Sequence, residues 1–134
     1  MRRDSSMTTK LKPIEPEQLH RSPAFVQGMI APAGATLYVG GQNGTDPDGE
    51  LVPGGLGPQT ERALRNVLTV LAEAGTGPEH VAKMTIYLDP AVDANEAYAV
   101  SAKVWTERTT VTVLAVAPSR EGALVEIDAI AAIP

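Results

Sequence analysis

An α+β fold, in the order β-β-α-β-α-β-β with both helices on one face of a mixed sheet, is predicted by three features of the sequence. Apolar residues recur three and four apart between 58 and 75, whereas 82–88 and 123–131 alternate between apolar and polar. The length of 134 residues leaves room for one domain around one core.

Each element follows from local chemistry. Residues 1–9 are polar and aperiodic and are read as a frayed leader, with the domain spanning 10–134. Two β-type runs, Ala24-Phe25-Val26-Gln27 and Thr36-Leu37-Tyr38-Val39-Gly40-Gly41, flank a turn at Ala31-Pro32-Ala33-Gly34 and are expected to pair antiparallel. Asn43-Gly44 and Asp46-Pro47-Asp48-Gly49 read as turns, because glycine tolerates positive φ and proline presets φ at the first central position. Ala63, Leu64, Val67, Leu68, Leu71 and Ala74 form the stripe of a first helix, with Pro58 in its first turn and Gly75 just past its end. Met84, Ile86 and Leu88 share one face of the next strand, and Lys83, Thr85 and Tyr87 the other. Asp93 with Glu96 resembles a capping box, opening a second helix whose stripe is Tyr98, Ala102 and Trp105. Strands over 109–116 and 123–131 complete the order.

Composition excludes several functions. Eleven Lys and Arg against sixteen Asp and Glu give a formal charge of -5, which argues against a phosphate-seeking surface and hence against nucleic acid as a partner. The absence of cysteine removes thiolate nucleophiles, disulfides and cysteine-ligated zinc, and suits a cytoplasmic location. No apolar run reaches the length of a membrane span. His20 and His80 lack a spaced third ligand, so no metal site is expected. The proline in Asp46-Pro47-Asp48-Gly49 breaks the ligand spacing of a calcium loop, and the glycines of 54–57 lack the lysine of a phosphate loop.

What remains is Arg108-Thr109-Thr110-Val111 and, in the last strand, Val125-Glu126-Ile127-Asp128-Ala129. Arginine suits a small carboxylate because its planar fork donates two parallel hydrogen bonds. Alternation places Arg108, Thr110 and Thr112 on one side, and puts Glu126 and Asp128 together, roughly 6.6 Å apart along their strand. A competing structural reading has Arg108 as an edge arginine paired with a surface carboxylate, and the two acids as a solvated face opposite Val125, Ile127 and Ala129.

Several spaced blocks resemble the RidA (YjgF-type) reactive-intermediate deaminases: Phe25-Val26-Gln27-Gly28, Leu37-Tyr38-Val39-Gly40-Gly41-Gln42, Asp48-Gly49-Glu50-Leu51-Val52, the helix from Gln59 to Val67, Arg108-Thr109-Thr110-Val111, and Leu124-Val125-Glu126-Ile127-Asp128-Ala129. The resemblance runs from about residue 12 to the end. It implies a trimer of the bacillus chorismate mutase type, with three clefts between neighbouring subunits, that hydrolyses enamines and imines such as 2-aminoacrylate to 2-keto acids and ammonia without a cofactor. Arg108 matches the family's substrate-binding arginine, the backbone at Thr110 its second carboxylate contact, and Glu126 the acid near the attacking water. Phe25, Gly40 and Gln42 would line the cleft. The match departs from the deaminases at Phe25, where they carry tyrosine, and at Gly40, where they carry serine. A non-catalytic trimer that binds a small carboxylate or a protein through the same clefts is the alternative. A ribonuclease role, also attached to this family, is disfavoured by the acidic balance.

Overall fold

The computed structural model describes residues 10–134; the leader read over 1–9 lies outside them. Nine elements follow in order: β1 (Lys12–Ile14), β2 (Gly28–Ile30), β3 (Thr36–Asn43), α1 (Leu56–Glu73), a 3-10 turn (Pro78–His80), β4 (Val81–Leu88), α2 (Ala94–Val104), β5 (Val111–Ala115) and β6 (Val125–Ala132). The main sheet has the order β3-β6-β4-β5. β6 is antiparallel to both neighbours, whereas β4 and β5 run parallel, so the sheet is mixed as anticipated.

The early pairing differs from the sequence expectation. Residues 24–27 do not pair with β3; the short strand β2 pairs with β1, and β3 pairs with β6. The reason is local. The Ser22 hydroxyl accepts the backbone N–H groups of Ala24 and Phe25 at 3.0 and 3.1 Å, taking donors a strand ladder would need. Phe25 then makes only an isolated parallel bridge with Thr109.

α1 begins two residues before Pro58, whose missing N–H falls in the first turn where no intrahelical partner exists. It ends in a Schellman motif: Thr76 N–H donates to Leu71 O, Gly75 N–H to Ala72 O, and Gly75 holds φ 81°. Its stripe of Ala63, Leu64, Val67 and Leu71 is buried against Val125, Ile127, Ala129, Met84 and Leu88 of the sheet. At about 1.5–3 kcal/mol per large aliphatic side chain removed from water, this layer is the main source of stability. α2 is capped by Asp93, whose carboxylate accepts Asn95 N–H at 2.9 Å. It contributes only Ala97 to the fully buried set, so its expected stripe stays largely at the surface.

Two contacts fix the far end of β3. Asn66 on α1 donates through Nδ2 to the carbonyls of Asn43 and Thr45, at 3.2 and 3.0 Å. Gly44 lies so close to the helix that a Cβ there would sit 2.5 Å from Gln59 Cα. Gly44→Ala is therefore expected to cost about 1–3 kcal/mol, seen as a lower denaturant midpoint at unchanged slope. Gly40→Ala, whose Cβ would meet open space, should change stability by less than about 0.5 kcal/mol. Equal effects of the two substitutions would contradict the close approach.

Candidate functional site

Burial of alternate β6 residues decides where the acids go. Val125, Ile127, Ala129 and Ala131 face the helices, which forces Glu126 and Asp128 onto the opposite, open face. Opposite them β3 carries a bulge: Val39 pairs with Ala129 and Gln42 with Ile127, leaving Gly40 and Gly41 against one residue. A Cβ on Gly41 would overlap the Glu126 carboxylate, so this glycine gives Glu126 its place. Asn43 Nδ2 donates to Glu126 Oε1 at 3.3 Å and to Val125 O at 3.1 Å.

Tyr87 stands directly across from Glu126 in the β4–β6 register and donates its hydroxyl to Asp128 Oδ2 at 2.9 Å. The hydrogen bond to Asp128, then partial burial, then the charges of Asp128 and Glu126 push the Tyr87 phenol above its usual range. Tyr87 is thus a neutral donor at physiological pH. Neither Asn43 nor Tyr87 was singled out from sequence as a site residue. Asn43 read as a turn residue, and Tyr87 carried only the signal of lying on the polar face of β4.

Arg108 is built from other parts. Trp105 Nε1 donates to Thr109 Oγ1 at 2.8 Å, and Val26 N–H to Thr109 O at 3.2 Å, so the buried Thr109 fixes the backbone on which Arg108 is mounted. The guanidinium reaches back to the N-terminal segment. Nη1 donates to Glu15 Oε2 at 3.2 Å, and Nη2 is shared among Glu15 Oε1, Ser22 O at 2.8 Å and Phe25 O at 3.1 Å. Arg21 adds a second cation, 3.1 Å from Glu15 Oε2. The hydrogen bond from Arg108 holds the Glu15 carboxyl below its ordinary range against the opposing effect of desolvation, and the same bond raises Arg108.

Thr110 lies two residues beyond Arg108 in the chain and Phe25 meets it across the fold, with different orientations. Thr110 O accepts Met84 N–H at 2.9 Å, while its hydroxyl is buried without a partner among the described residues. The Phe25 carbonyl faces Arg108, but its ring turns to α2, meeting Tyr98 edge-on at 6.0 Å and lining a cavity of about 260 Å³ with Thr60, Ile86, Leu88 and Val113. Gly40 and Gln42 lie beside Glu126 and away from Arg108.

The register separates the two clusters. Tyr87 pairs with Glu126 on one side and Leu114 on the other, so Leu114 marks the level of Glu126, and Arg108 precedes it by six residues. At a rise of about 3.3 Å per residue and a spacing of about 4.8 Å per strand, Arg108 and Glu126 of one protomer lie on the order of 20 Å apart. Among the described residues no group of three His, Asp or Glu side chains is placed to hold a metal ion, and no helix is long and apolar enough to cross a membrane.

This mixed four-stranded sheet backed by two helices is a fold shared with Rid-type proteins. A Rid-family protein of unknown function from Yersinia pestis superposes with a TM-score of 0.83 at 29% identity, covering 92% of this chain and 99% of that one. RidA from an Antarctic Psychrobacter superposes at 0.69, with 26% identity over 91% of this chain and 99% of its own. The chain belongs to the family described as Endoribonuclease L-PSP, the YjgF/RidA family, whose model matches residues 16–133. Among curated relatives, a RutC family protein of Pyrococcus horikoshii is 37% identical over 74% of this chain and 80% of its own length. The 2-iminobutanoate/2-iminopropanoate deaminase of Rattus norvegicus is 44% identical over 40% of this chain, and the match spans 39% of that enzyme.

Two expectations follow from the geometry. A carboxyl depressed on folding contributes stability that is present above its unfolded pKa and lost as pH falls through the folded value. Acidification through that window should therefore loosen the segment around Glu15, measured as faster amide exchange at Val26 while Ile127 stays protected. Gly41→Ala meets only the flexible end of Glu126, so the thermal midpoint should move by no more than a few degrees. The Asn43 side-chain amide resonances should shift as the carboxylate is displaced, and unchanged resonances would contradict the assigned contact.

Proposed function

We propose that the protein is a homotrimeric, cytoplasmic hydrolase of reactive enamines and imines, converting substrates of the 2-aminoacrylate/2-iminopropionate type to 2-keto acids and ammonia. The observation that carries this reading is the Arg108 guanidinium clasping both oxygens of a carboxylate, here that of Glu15. A planar fork that accepts one carboxylate has the chemistry to accept another. The family membership and the names of the mammalian relatives support the same reaction.

The separation of Arg108 from Glu126 supports an assembly in which one protomer supplies the arginine and its neighbour supplies Glu126, Gly40 and Gln42. The open sheet face suits such a contact, because Tyr38 is 74% exposed and Ile130 and Leu114 are also exposed on it. In the assembled cleft Arg108 holds the substrate carboxylate, with the backbone at Thr110 beside it. Glu126, oriented by Asn43, takes a proton from water as its oxygen attacks the iminium carbon. The resulting carbinolamine receives that proton on nitrogen and expels ammonia as the C=O bond forms and Glu126 takes up the hydroxyl proton. The iminium carbon is already electrophilic, so positioning and proton transfer suffice and no cofactor is required.

A second reading, a non-catalytic carboxylate- or protein-binding trimer, is favoured by one observation: the Arg108 fork is already occupied. Phe25 and Gly40 add to it, since they lack the hydroxyls found at these positions in the deaminases.

Ammonia release from freshly generated 2-aminoacrylate separates the two. Arg108→Ala is expected to lower kcat/KM about 100-fold, and Glu126→Gln by about 100-fold or more, mainly in kcat. Co-refolding these two inactive variants tests the shared cleft. In randomly mixed trimers about one cleft in four pairs an intact arginine with an intact glutamate, so about a quarter of wild-type activity should return. Wild-type protein no faster than buffer would end the enzyme reading, and active single variants without complementation would refute the residue assignment.

A further inference from the structure

We propose that Glu15 sets the affinity of the Arg108 site, as an internal carboxylate that occupies the guanidinium until an anionic ligand displaces it. The inference rests on the reading of Arg108 as the substrate anchor.

The geometry argues against a passive surface ion pair. Both Glu15 oxygens are engaged by both terminal nitrogens, the arrangement a bound 2-keto or 2-imino acid would adopt. The end-on fork of Nη1 and Nη2 is filled while Glu15 is in place, and a ligand enters it by taking the position of Glu15, with Nη2 shared as before among the carboxylate and the Ser22 and Phe25 carbonyls. Two of those acceptors, the Ser22 and Phe25 carbonyls, are neutral main-chain groups. They would keep the guanidinium oriented after Glu15 leaves without cancelling its charge.

Glu15 also has somewhere to go. Arg21, 72% exposed, already touches its Oε2, so a carboxylate expelled from Arg108 exchanges one cation for another with little change in charge pairing. The tether is short, because Glu15 directly follows β1, which β2 holds in register. A tethered competitor of this kind acts at an effective concentration on the order of millimolar. The apparent dissociation constant of any external carboxylate is the intrinsic value divided by the fraction of protein with Arg108 free. Weak anions in the cell are thereby rejected, and only a ligand that makes further contacts in the cleft wins the guanidinium.

Pyruvate is the probe, followed through the Arg108 Nε–H resonance alongside ammonia release from 2-aminoacrylate. Glu15→Gln keeps the size of the side chain but removes the charge, and should tighten pyruvate binding and lower KM by about tenfold with little change in kcat. Arg21→Ala, at an exposed position, removes the alternative cation and should move both in the opposite direction. A merely structural strap predicts weaker or unchanged binding in both variants, and that result overturns the proposal, as does pyruvate leaving the Arg108 resonance unmoved in Glu15→Gln. Tightened pyruvate binding without ammonia release from any variant would uphold the role of Glu15 and defeat the deaminase reading alone.

Discussion

β6 is hydrogen-bonded along both edges, to β3 and to β4, and its alternate residues are sealed under α1. This double constraint fixes the register, because a slip by one residue would drive Glu126 and Asp128 into the apolar layer and bring Ile127 and Ala129 out. The placement of Glu126 over Gly41, its bond from Asn43 and the Tyr87–Asp128 pair all follow from that register. So does the distance from Arg108. The parallel β5 enters the sheet at the level of Met84 and leaves it at Leu88, which keeps its preceding arginine at the end remote from Glu126. The same register therefore keeps the two clusters apart within one protomer.

The parts legible in the sequence are those governed by near neighbours. α1 announces itself through period, proline and glycine, and its Schellman end needs only the residues printed there. β4 and β6 are legible because one face of each is buried and the other is not. The segment before β3 departs from strand pairing because Ser22 captures the N–H groups of Ala24 and Phe25, a side-chain choice that strand propensity does not register. The partner of Arg108 was beyond local pattern altogether, since Glu15 lies 93 positions away in the chain. The residue type forecast an appetite for a carboxylate and was silent on which one. An edge arginine paired with a carboxylate is the competing structural reading of Arg108, and the protomer holds such a pair, largely buried and shared with Arg21.

Likeness to known proteins narrows the fold more than the chemistry. The solved Rid-type structures align over nearly the whole chain, whereas the rat deaminase matches two-fifths of it. One scaffold supports several activities, so function has to be argued from the groups in the site. The groups present are an arginine paired with Glu15 and a glutamate with a defined amide donor. Gly40 brings no hydroxyl to the open face that carries Glu126, where Thr85, Tyr87 and Thr112 supply hydroxyls.

Tyr87 is the most informative of these. Its phenol is held protonated by the acids around it, so it donates to Asp128 across the whole physiological range. With Asp128 occupied in this way and Asn43 directed at Glu126, the two neighbouring carboxylates are given different partners. Asp128 is bound by a phenol and Glu126 by a side-chain amide, although both acids stand on one face of the same strand. The two donors come from strands β3 and β4 on either side of β6, so the arrangement belongs to the sheet itself.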